Sequence, residues 1–401
     1  MARVLFNARM PSGDHVDVAV ADGVVAAVGP VGSLEGEGTG IDLEGRLVLP
    51  ALCEPHAHLD KALTADQVPN PAGDLMGAIE AWGARYHERT VDEVRERATH
   101  AAELCLSNGT TVMRTHVDVG DGIGTTALEA LVDVRAALAD RMDIELVALL
   151  TPSLCGPAGA ANRAVLDTAI EMGVDLIGGC PHLEDDPGGL IDVVLDASAA
   201  SGLPVDLHVD ETLDPSMLSL DLLARAVLER GHPHAVTASH CVSLSMQHAD
   251  VQHDVANRVA EAEIGVIALP QTNLFLQGRD HPTAPPRAIT PIGVLREAGV
   301  AVAVGGDNLQ DPFNPMGRGD PLESAALAVV ASHELAPAAF ELVSNGARTV
   351  LRRPLAGVEQ GTVADLIAVR ADGVRHAIAA APADRLVFRA GALVSGDPDR
   401  F

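Results

Sequence analysis

Two histidines, His56 and His58, occupy alternate positions just after the apolar run at residues 47–53. Because the side chains of a β-strand repeat on one face every second residue, both imidazoles can reach the same cation. Three further polar residues follow later apolar runs in the same way, namely His208, His240 and Asp307. Three imidazoles and one carboxylate from such a set suit a borderline divalent ion such as Zn²⁺ or Fe²⁺ and leave room for a water. A cation held in this way lowers the pKa of its bound water toward about 7, so the pattern predicts a site that produces hydroxide at neutral pH.

A second His-x-His pair, His232 and His234, serves as an internal comparison. A chain with 16 histidines among 401 residues is expected to contain roughly one such pair by chance. This pair precedes its apolar run, residues 235–238, instead of following it. In parallel α/β proteins the chemistry lies at the carboxyl ends of the strands, so we interpret His232 and His234 as surface histidines.

The middle of the chain alternates apolar β-type runs with helical stretches, which is typical of a parallel sheet covered by helices. We predict eight strands, at residues 47–53, 111–114, 144–150, 175–178, 204–207, 235–238, 265–269 and 300–304. This number of strands over about 300 residues predicts a (β/α)₈, TIM-like barrel. One helix has clear boundaries, because Thr90 and Glu93 form a capping box and Asn108-Gly109 supplies a stop. Residues 62–89 are predicted to form an extended first loop that can cover a site.

Both ends of the chain have β character. Asp22-Gly23 separates two apolar runs, which is a strong hairpin signal. Similar runs recur at residues 364–369, 385–389 and 392–394. We therefore predict an α/β protein with two domains, in which residues 1–48 and 355–401 together form a small β-sandwich domain and residues 49–354 form the barrel.

Other polar residues also follow the predicted strands. They are His116 and Asp118 after the second strand, Thr151 after the third, His182 after the fourth, Glu211 after the fifth, Gln271 and Asn273 after the seventh, and Asn308 after the eighth. We interpret Arg114 and Asp118 as a structural ion pair. Two roles stay open for His116, a core histidine beneath the metal or a member of the site, and two for His182, a pocket residue or a helix cap.

The composition excludes several partner classes. A net charge of −29 opposes binding to phosphate backbones and to anionic lipid surfaces, so we expect neither a nucleic-acid nor a membrane partner. The five cysteines are an odd number without a Cys-x-x-Cys motif, which fits neither a disulfide framework nor a thiolate zinc site. The amino terminus lacks a secretory apolar region, and no apolar run reaches membrane-spanning length. These features predict a soluble cytoplasmic protein.

Several of these segments together resemble the amidohydrolase superfamily. They are Glu54-Pro55-His56-Ala57-His58-Leu59-Asp60-Lys61, Arg114-Thr115-His116-Val117-Asp118 and His208-Val209-Asp210-Glu211. Two more, Thr237-Ala238-Ser239-His240 and Gly306-Asp307-Asn308-Leu309-Gln310-Asp311-Pro312-Phe313, are similar to the cytosine deaminase branch. The resemblance extends through the whole chain, including the paired terminal β segments.

The resemblance implies a role for each matching position. One catalytic divalent metal would be held by His56, His58, His208 and Asp307. Asp307 would also accept a proton from the attacking water, Glu211 would shuttle a proton to the ring nitrogen or leaving amine, and His240 would hydrogen-bond near the attacking oxygen. The fourth strand offers no lysine to bridge two ions, because Lys61 is the only lysine of the chain, so a mononuclear site follows. The family also implies a homo-oligomer.

The substrate positions depart from the cytosine deaminase pattern. A glutamine, an aspartate and a tryptophan of that pattern are replaced here by Thr151, Asn308 and Phe313. Gln271 could supply a replacement amide. We expect substrate contacts from Lys61, Thr151, His182, Gln271, Asn308 and Phe313.

The reaction predicted by these residues is hydrolytic deamination of a cytosine-like nitrogen heterocycle, in which a cyclic amidine and water give a carbonyl and ammonia. The nearest alternative is an N-alkyl aminotriazine amidohydrolase that releases an alkylamine. A more remote alternative is a non-catalytic scaffold with the amidohydrolase fold, which would require lost ligands, and none of the expected ligands is missing here.

Overall fold

The computed structural model describes residues 3–34 and 39–398. Residues 1–2, 35–38 and 399–401, which belong to the predicted terminal β domain, lie outside the described residues. Within the described part, one eight-stranded sheet is built from both ends of the chain and a second eight-stranded sheet is built from its middle.

The terminal sheet joins strands that are far apart in sequence. Its strands are β1 (Arg3–Arg9), β2 (His15–Ala21), β3 (Val24–Pro30), β4 (Thr39–Asp42), β5 (Leu47–Pro50), β14 (Leu366–Val369), β15 (Arg385–Arg389) and β16 (Ala392–Ser395). They are ordered β16-β15-β14-β5-β1-β2-β3, and β4 lies beside β1. The predicted hairpin is confirmed, because Asp22 and Gly23 between β2 and β3 have φ of 52° and 80°, the left-handed pair that a type I′ turn needs. Because β14 to β16 pair into one sheet with β1 to β5, the prediction of a β unit formed by both termini is confirmed.

The middle sheet is the predicted barrel. Its strands are β6 (Leu52–Ala57), β7 (Thr110–Val119), β8 (Asp143–Leu150), β9 (Leu176–Gly178), β10 (Val205–Val209), β11 (Val236–His240), β12 (Gly265–Ala268) and β13 (Val302–Val304). Each strand pairs in parallel with the next one along the chain. A parallel bridge between Ala57 and Asp307 joins the last strand back to the first. The (β/α)₈ prediction is confirmed.

The first predicted strand, residues 47–53, was wrong as a single element. The run divides between the two sheets, since β5 pairs antiparallel with β14 of the terminal sheet whereas β6 begins the barrel. The change of sheet falls between two neighbouring donors. Ala51 N still donates to Asp365 O in the register of the terminal sheet, whereas Leu52 N donates to Gly109 O, just before β7.

Helices cover the outside of the barrel and extend from the ends of its strands. They are α1 (Leu75–Gly83), α2 (Val91–Ser107), α3 (Thr126–Leu138), α4 (Ala160–Glu171), α5 (Pro187–Ser201), α6 (Ser219–Arg230), α7 (Ala249–Glu261), α8 (Pro270–Leu276), α9 (Ile292–Glu297), α10 (Pro321–Ala331), α11 (Ala336–Leu342), α12 (Asn345–Val350) and α13 (Val374–Ala380). The predicted cap of α2 is confirmed, because the Thr90 hydroxyl accepts a hydrogen bond from Glu93 N at 3.2 Å. None of the helices in residues 3–34 and 39–398 combines the length and apolar character needed to span a bilayer.

Two buried ion pairs connect the terminal sheet to the barrel. Arg385 on β15 makes two hydrogen bonds to Asp320, at 2.8 and 2.6 Å, just before α10. Arg348 on α12 donates to Asp365 at 2.8 Å, one residue before β14. These ion pairs therefore fix the orientation of the two sheets, in addition to the apolar contact between them. The exact domain boundaries at 48/49 and 354/355 stay a prediction.

Candidate metal and catalytic site

The residues predicted at the strand ends meet at one end of the barrel. His56 lies on β6, His208 on β10, and His240 is the last residue of β11. Asp307 follows β13 and forms the bridge to Ala57 that closes the barrel. Because all eight strands are parallel, their carboxyl ends share one rim, where residues far apart in sequence become neighbours.

Four side-chain atoms converge on one point of this rim. His208 Nε2 lies 3.1 Å from His56 Nε2 and 3.2 Å from His58 Nε2. Asp307 Oδ1 lies 3.3 Å from His58 Nε2 and 3.6 Å from His56 Nε2. All four side chains are buried. The structure thus brings together the four residues that the sequence analysis selected as metal ligands.

The protonation states of these groups fit a divalent cation. Burial, followed by repulsion from neighbouring imidazoles, holds the pKa of His56 and of His208 well below the ordinary 6.5. Both rings are therefore neutral at pH 7, as metal ligation requires. Neither carboxylate oxygen of Asp307 has a hydrogen-bond partner within the described residues. A buried, unpaired carboxylate beside three imidazoles is costly unless a cation compensates it, so the donor set fits one metal ion.

A hydrogen-bonded chain fixes the orientation of His56. Ser239 Oγ lies 2.8 Å from His56 Nδ1 and 3.2 Å from Asp206 Oδ1. Since the carboxylate can only accept, the serine hydroxyl donates to Asp206 and accepts from His56 Nδ1–H. The proton of His56 is therefore on Nδ1, and the Nε2 lone pair is free for a metal.

The expected ion pair between Arg114 and Asp118 was wrong. Both residues lie on β7, and four residues along a strand span about 13 Å, which is too far for an ion pair. Arg114 instead donates to Asp206 at 2.7 Å and to Glu145 at 2.9 Å. Arg114 therefore supports the carboxylate that orients Ser239, one step behind the metal site.

His116 lies among the candidate ligands. Its ring centroid is 4.1 Å from that of His56 and 4.6 Å from that of His208. One nitrogen of each of these three rings lies within 4.8 Å of the others. Burial, more than any other effect, holds the pKa of His116 well below its usual value. His116 is thus a neutral imidazole that packs against the rings of two candidate ligands, His56 and His208.

Glu211 and His240 share a hydrogen-bond donor that the sequence analysis noted at a strand end but gave no role. The side-chain nitrogen of Asn273 donates to His240 Nδ1 at 3.0 Å and to Glu211 Oε1 at 3.4 Å. Because Nδ1 of His240 accepts, its proton is on Nε2. Burial, and then the charge of Asp307, raise the pKa of Glu211 well above the ordinary value. The arrangement places a carboxyl group with a raised pKa beside an imidazole N–H.

A cavity of about 230 Å³ opens beside these groups. Among its lining residues are four of the predicted substrate contacts, namely Thr151, His182, Asn308 and Phe313. His58, His208, Glu211, His240 and Asp307 also line it. The cavity therefore presents the candidate metal ligands and the candidate acid to one small molecule.

His182 lines the cavity, and its hydrogen bond shows which of its ring nitrogens carries the proton. Its Nδ1 is 3.2 Å from the carbonyl oxygen of His208, which can only accept, so the proton is on Nδ1. Burial lowers the pKa of His182 to about 3. Its Nε2 has no partner within the described part of the chain and is left as an acceptor.

Two predicted substrate contacts lie outside the cavity wall. Lys61 is buried, 2.6 Å from Asp118 and 3.4 Å from His58 Nδ1. Gln271 accepts a hydrogen bond from Asn314 at 3.2 Å and lines a separate small pocket behind the site. Any contact of these two residues with a substrate would be indirect in this conformation.

The segment after Asp307 is held by Asp311. Its carboxylate accepts hydrogen bonds from Asn308 Nδ2 at 2.7 Å, Phe313 N at 2.8 Å and Asn314 N at 3.1 Å. These bonds fix the positions of Asn308 and Phe313 at the cavity. Asp311 was not selected from sequence, although it lies within the quoted motif of residues 306–313.

Helix α1 and the short 3-10 turn after it, Tyr86–Glu88, contribute cavity residues that sequence reasoning missed. Trp82 and Tyr86 line the cavity, together with Leu75 and Ile79. The only signal for them was the length of the loop at residues 62–89, which was predicted to cover a site. The position of the loop in sequence gave no indication of which of its side chains point inward.

Comparison with known proteins places this geometry in context. Residues 39–151 and 127–394 match the model of the amidohydrolase family. A pterin deaminase from Rhizobium rhizogenes is 34% identical over 384 residues, which cover 94% of this chain and 87% of the relative.

Two solved structures are similar over nearly the whole chain. The 5-methylcytosine deaminase from Klebsiella pneumoniae, crystallised with 5-fluorocytosine, has a TM-score of 0.88 and 27% identity and covers 99% of this chain and 98% of its own. The N-isopropylammelide isopropylaminohydrolase from Burkholderia multivorans has a TM-score of 0.85 and 29% identity, and the similarity covers 99% of both chains. The structural similarity therefore extends over both sheets of the present structure.

Proposed function

The chain belongs to the amidohydrolase family, and we propose from this premise that it is a metal-dependent hydrolase that removes an exocyclic amino group from a nitrogen heterocycle as ammonia. The observation that carries the proposal is the convergence of His56, His58, His208 and Asp307 at the cavity that Glu211 also lines. Deamination of a cyclic amidine needs an attacking hydroxide and a group that delivers a proton to nitrogen. Candidate groups for both roles line one cavity of about 230 Å³, which suits one small ring.

The candidate ligands are His56, His58, His208 and Asp307, and a bound ion would supply Lewis acidity that makes a water nucleophilic near pH 7. Asp307, whose second carboxylate oxygen is unpaired in the described structure, accepts the proton of the attacking water. Glu211, buried and with a raised pKa, gives a proton to the ring nitrogen, takes up the second proton of the attacking water and passes it to the leaving amine, after which the proton held by Asp307 restores Glu211. His240 donates from Nε2–H to the oxygen that becomes the carbonyl, because Asn273 occupies Nδ1.

Substrate contacts follow from the cavity. The Nε2 acceptor of His182 suits a ring N–H, and the Thr151 hydroxyl and the Asn308 amide supply further polar contacts. Phe313 gives an apolar contact from the facing segment. Lys61 and Gln271 stay predictions as substrate residues, since the structure has them outside the cavity lining. A cytosine-like ring is the class that we propose.

The alternative is hydrolysis at an N-alkylated amine, with release of an alkylamine. It is supported by the similarity to N-isopropylammelide isopropylaminohydrolase and by the apolar residues of the cavity, which could receive an alkyl group. The same metal ligands and the same proton carrier serve both reactions, so the leaving group must be identified directly.

Product analysis separates these reactions. The metal-loaded protein is incubated with cytosine, 5-methylcytosine, isocytosine, isoguanine, creatinine, pterin and N-isopropylammelide, and ammonia and alkylamine are assayed separately. We expect ammonia from at least one ring amine, with a loss of about a hundredfold or more in Glu211→Gln and no change in Glu229→Gln, which alters an exposed carboxylate. Alkylamine without ammonia would establish the alternative. The absence of both products with metal bound would contradict the proposal for this panel.

The metal and the cellular setting belong to the same proposal. We propose one Zn²⁺ or Fe²⁺ per chain, a cytoplasmic homo-oligomer, and no nucleic-acid or membrane partner. All five cysteines are free thiols, which suits a reducing compartment. Elemental analysis of protein purified without added ions, aerobically and anaerobically, tests the metal. A stoichiometric ion also argues against a non-catalytic scaffold, which would have no reason to retain it.

A further inference from the structure

The chain contains one tryptophan and one tyrosine among 401 residues, and both lie in the loop that covers the site. Trp82 Nε1 donates a hydrogen bond to Asp118 Oδ2 at 2.8 Å. Tyr86 Oη donates to the same oxygen at 2.7 Å. The chain has few aromatic residues, and Trp82 and Tyr86 both bond to one carboxylate oxygen. These two side chains therefore have a specific role at the cavity.

The carboxylate is itself held in place from the other side. Asp118 Oδ1 accepts from Lys61 Nζ at 2.6 Å. Although burial opposes ionisation, Lys61 holds the pKa of Asp118 below its ordinary value. Burial, and then the negative charge of Asp118, raise the pKa of Tyr86, so the phenol keeps its proton and stays a donor. Asp118 is thus an ionised acceptor that uses both oxygens inside the protein.

The two aromatic residues belong to one row of side chains at the cavity. Leu75, Ile79 and Trp82 follow one another at intervals of four and three residues, so they lie on one face of α1, and Tyr86 begins a short 3-10 turn (Tyr86–Glu88) just after that helix. All four line the cavity, and we call them the aromatic wall. The guanidinium of Arg89 lies 3.1 Å from the centre of the Trp82 ring, a cation–π contact that helps to hold the indole in place.

We propose that the aromatic wall is the surface against which the flat ring of the substrate packs, and that Asp118 is the positioning residue that fastens the wall over the metal site. The inference rests on the proposed function only in taking the ligand to be a flat, uncharged heterocycle. Apolar and aromatic surface binds such rings well, and hydrogen bonds to the indole and phenol fix where that surface stands. Asp118 lines the cavity but makes no hydrogen bond to a candidate metal ligand or to Glu211, so its effect should fall on binding more than on chemistry.

Two variants test whether the hydrogen bonds to Asp118 hold the aromatic wall in place, apart from any effect on the fold. Tyr86→Phe removes one hydroxyl and leaves the Lys61–Asp118 ion pair intact. Asp118→Asn removes the charge and disturbs all three bonds. Both are compared with Asp196→Asn, which removes a carboxylate whose side chain is 75% exposed and pairs with Arg230. If Asp118→Asn folds poorly, Tyr86→Phe still decides the question.

Binding is measured apart from turnover. Each variant is made in the metal-loaded Glu211→Gln protein, and the dissociation constants of cytosine and pterin are determined by calorimetry. We expect a rise of about three- to tenfold with Tyr86→Phe, a larger rise with Asp118→Asn, and none with Asp196→Asn. In the protein with Glu211 present, KM should rise by the same factor while kcat changes less than about twofold.

The single tryptophan provides a direct optical readout. Trp82 is only 2% exposed, so a soluble quencher such as acrylamide should reach it poorly. We expect easier quenching of Trp82 in Tyr86→Phe and Asp118→Asn, and in these two variants we expect less quenching once cytosine is bound.

The outcomes distinguish the two proposals. Calorimetry could detect ring binding that is equally tight in all variants, with no change in the quenching of Trp82. That result would overturn the aromatic wall and leave the proposed function intact. Failure of both rings to bind the metal-loaded protein would count against the proposed function and the wall together.

Discussion

The backbone nitrogen of Asp307 donates a hydrogen bond of 3.0 Å to the carbonyl oxygen of His56. This bond belongs to the bridge that closes the barrel between its last and first strands. Asp307 has a φ of 63°, a left-handed conformation that costs about 1–3 kcal/mol for a residue other than glycine. The closure of the barrel therefore sets the distance between two candidate metal ligands, His56 and Asp307. The strained backbone at Asp307 turns its carboxylate toward the imidazoles.

Metal removal should destabilise the protein, because the ion compensates Asp307 and links β6 to β10 and the closing bridge. We expect a chelator to lower the melting temperature and stoichiometric Zn²⁺ or Fe²⁺ to restore it. An ion present at a thousandfold its dissociation constant stabilises the native state by about 4 kcal/mol. Differential scanning calorimetry with elemental analysis measures both effects.

The second His-x-His pair is a matched control for this prediction. His232 and His234 precede β11 and so lie at the opposite end of the barrel from the site. We expect His232→Ala with His234→Ala to keep the ion, and His56→Ala to lose it. Equal metal content in the two proteins would refute the assignment of the ligands.

Asn273 should act on catalysis through Glu211 and His240. Asn273→Leu removes the donor that both residues share and lets His240 adopt the other tautomer. We expect kcat to fall about ten- to hundredfold while metal content and KM change little. Steady-state kinetics with the substrate found in the product panel measures this. A proportionate loss of bound metal would show instead that Asn273 supports the ligands.

Much of the fold could be predicted from local sequence patterns. The alternation of strands and helices, the cap at Thr90 and the turn at Asp22-Gly23 each depend on a few consecutive residues. The division of residues 47–53 between two sheets could not be predicted, because an apolar strand buried in either sheet has the same composition. What distinguishes them is the partner, Gly109 or Asp365, which is distant in sequence.

The site shows the same limit. The candidate metal ligands follow from position at strand ends, which the barrel brings together whatever the loops do. Trp82 and Tyr86 depend on how a long loop folds back over the rim, and no periodic signal fixes that. Arg114 and Asp118 are close in sequence, but they lie too far apart along one strand to form an ion pair. The partner of Asp118 is Lys61.

Arg385 should be important for stability although it lies far from the chemistry. Its bidentate pair with Asp320 is buried, so Arg385→Leu leaves an uncompensated carboxylate at the start of α10. We expect a loss of about 3–5 kcal/mol in the free energy of unfolding, measured by urea denaturation. The control is Arg370→Leu, which breaks an exposed pair with Glu44 and Asp384 and should shift the midpoint little. Equal shifts in the two variants would contradict this account.

Asp311 should make stability depend on pH. Burial raises the pKa of its carboxyl from 3.8 to about 6, so the folded state holds a proton that the unfolded state releases. Below about pH 4 both states are protonated, and the contribution of Asp311 to stability is fully present. It is lost as the pH rises to about 6 and beyond, by up to about 3 kcal/mol for this shift.

Asp311→Asn removes this titration, so the variant should gain stability relative to the natural protein between about pH 4 and pH 7. The free energies of unfolding of both proteins are measured by urea denaturation at each pH, and titrations common to both cancel in the difference. The variant also loses one of the acceptors that hold Asn308 and Phe313, which adds a constant cost at every pH. A difference between the two proteins that does not change with pH would mean that Asp311 is ionised in the folded state throughout this range, with its three hydrogen-bond donors outweighing burial.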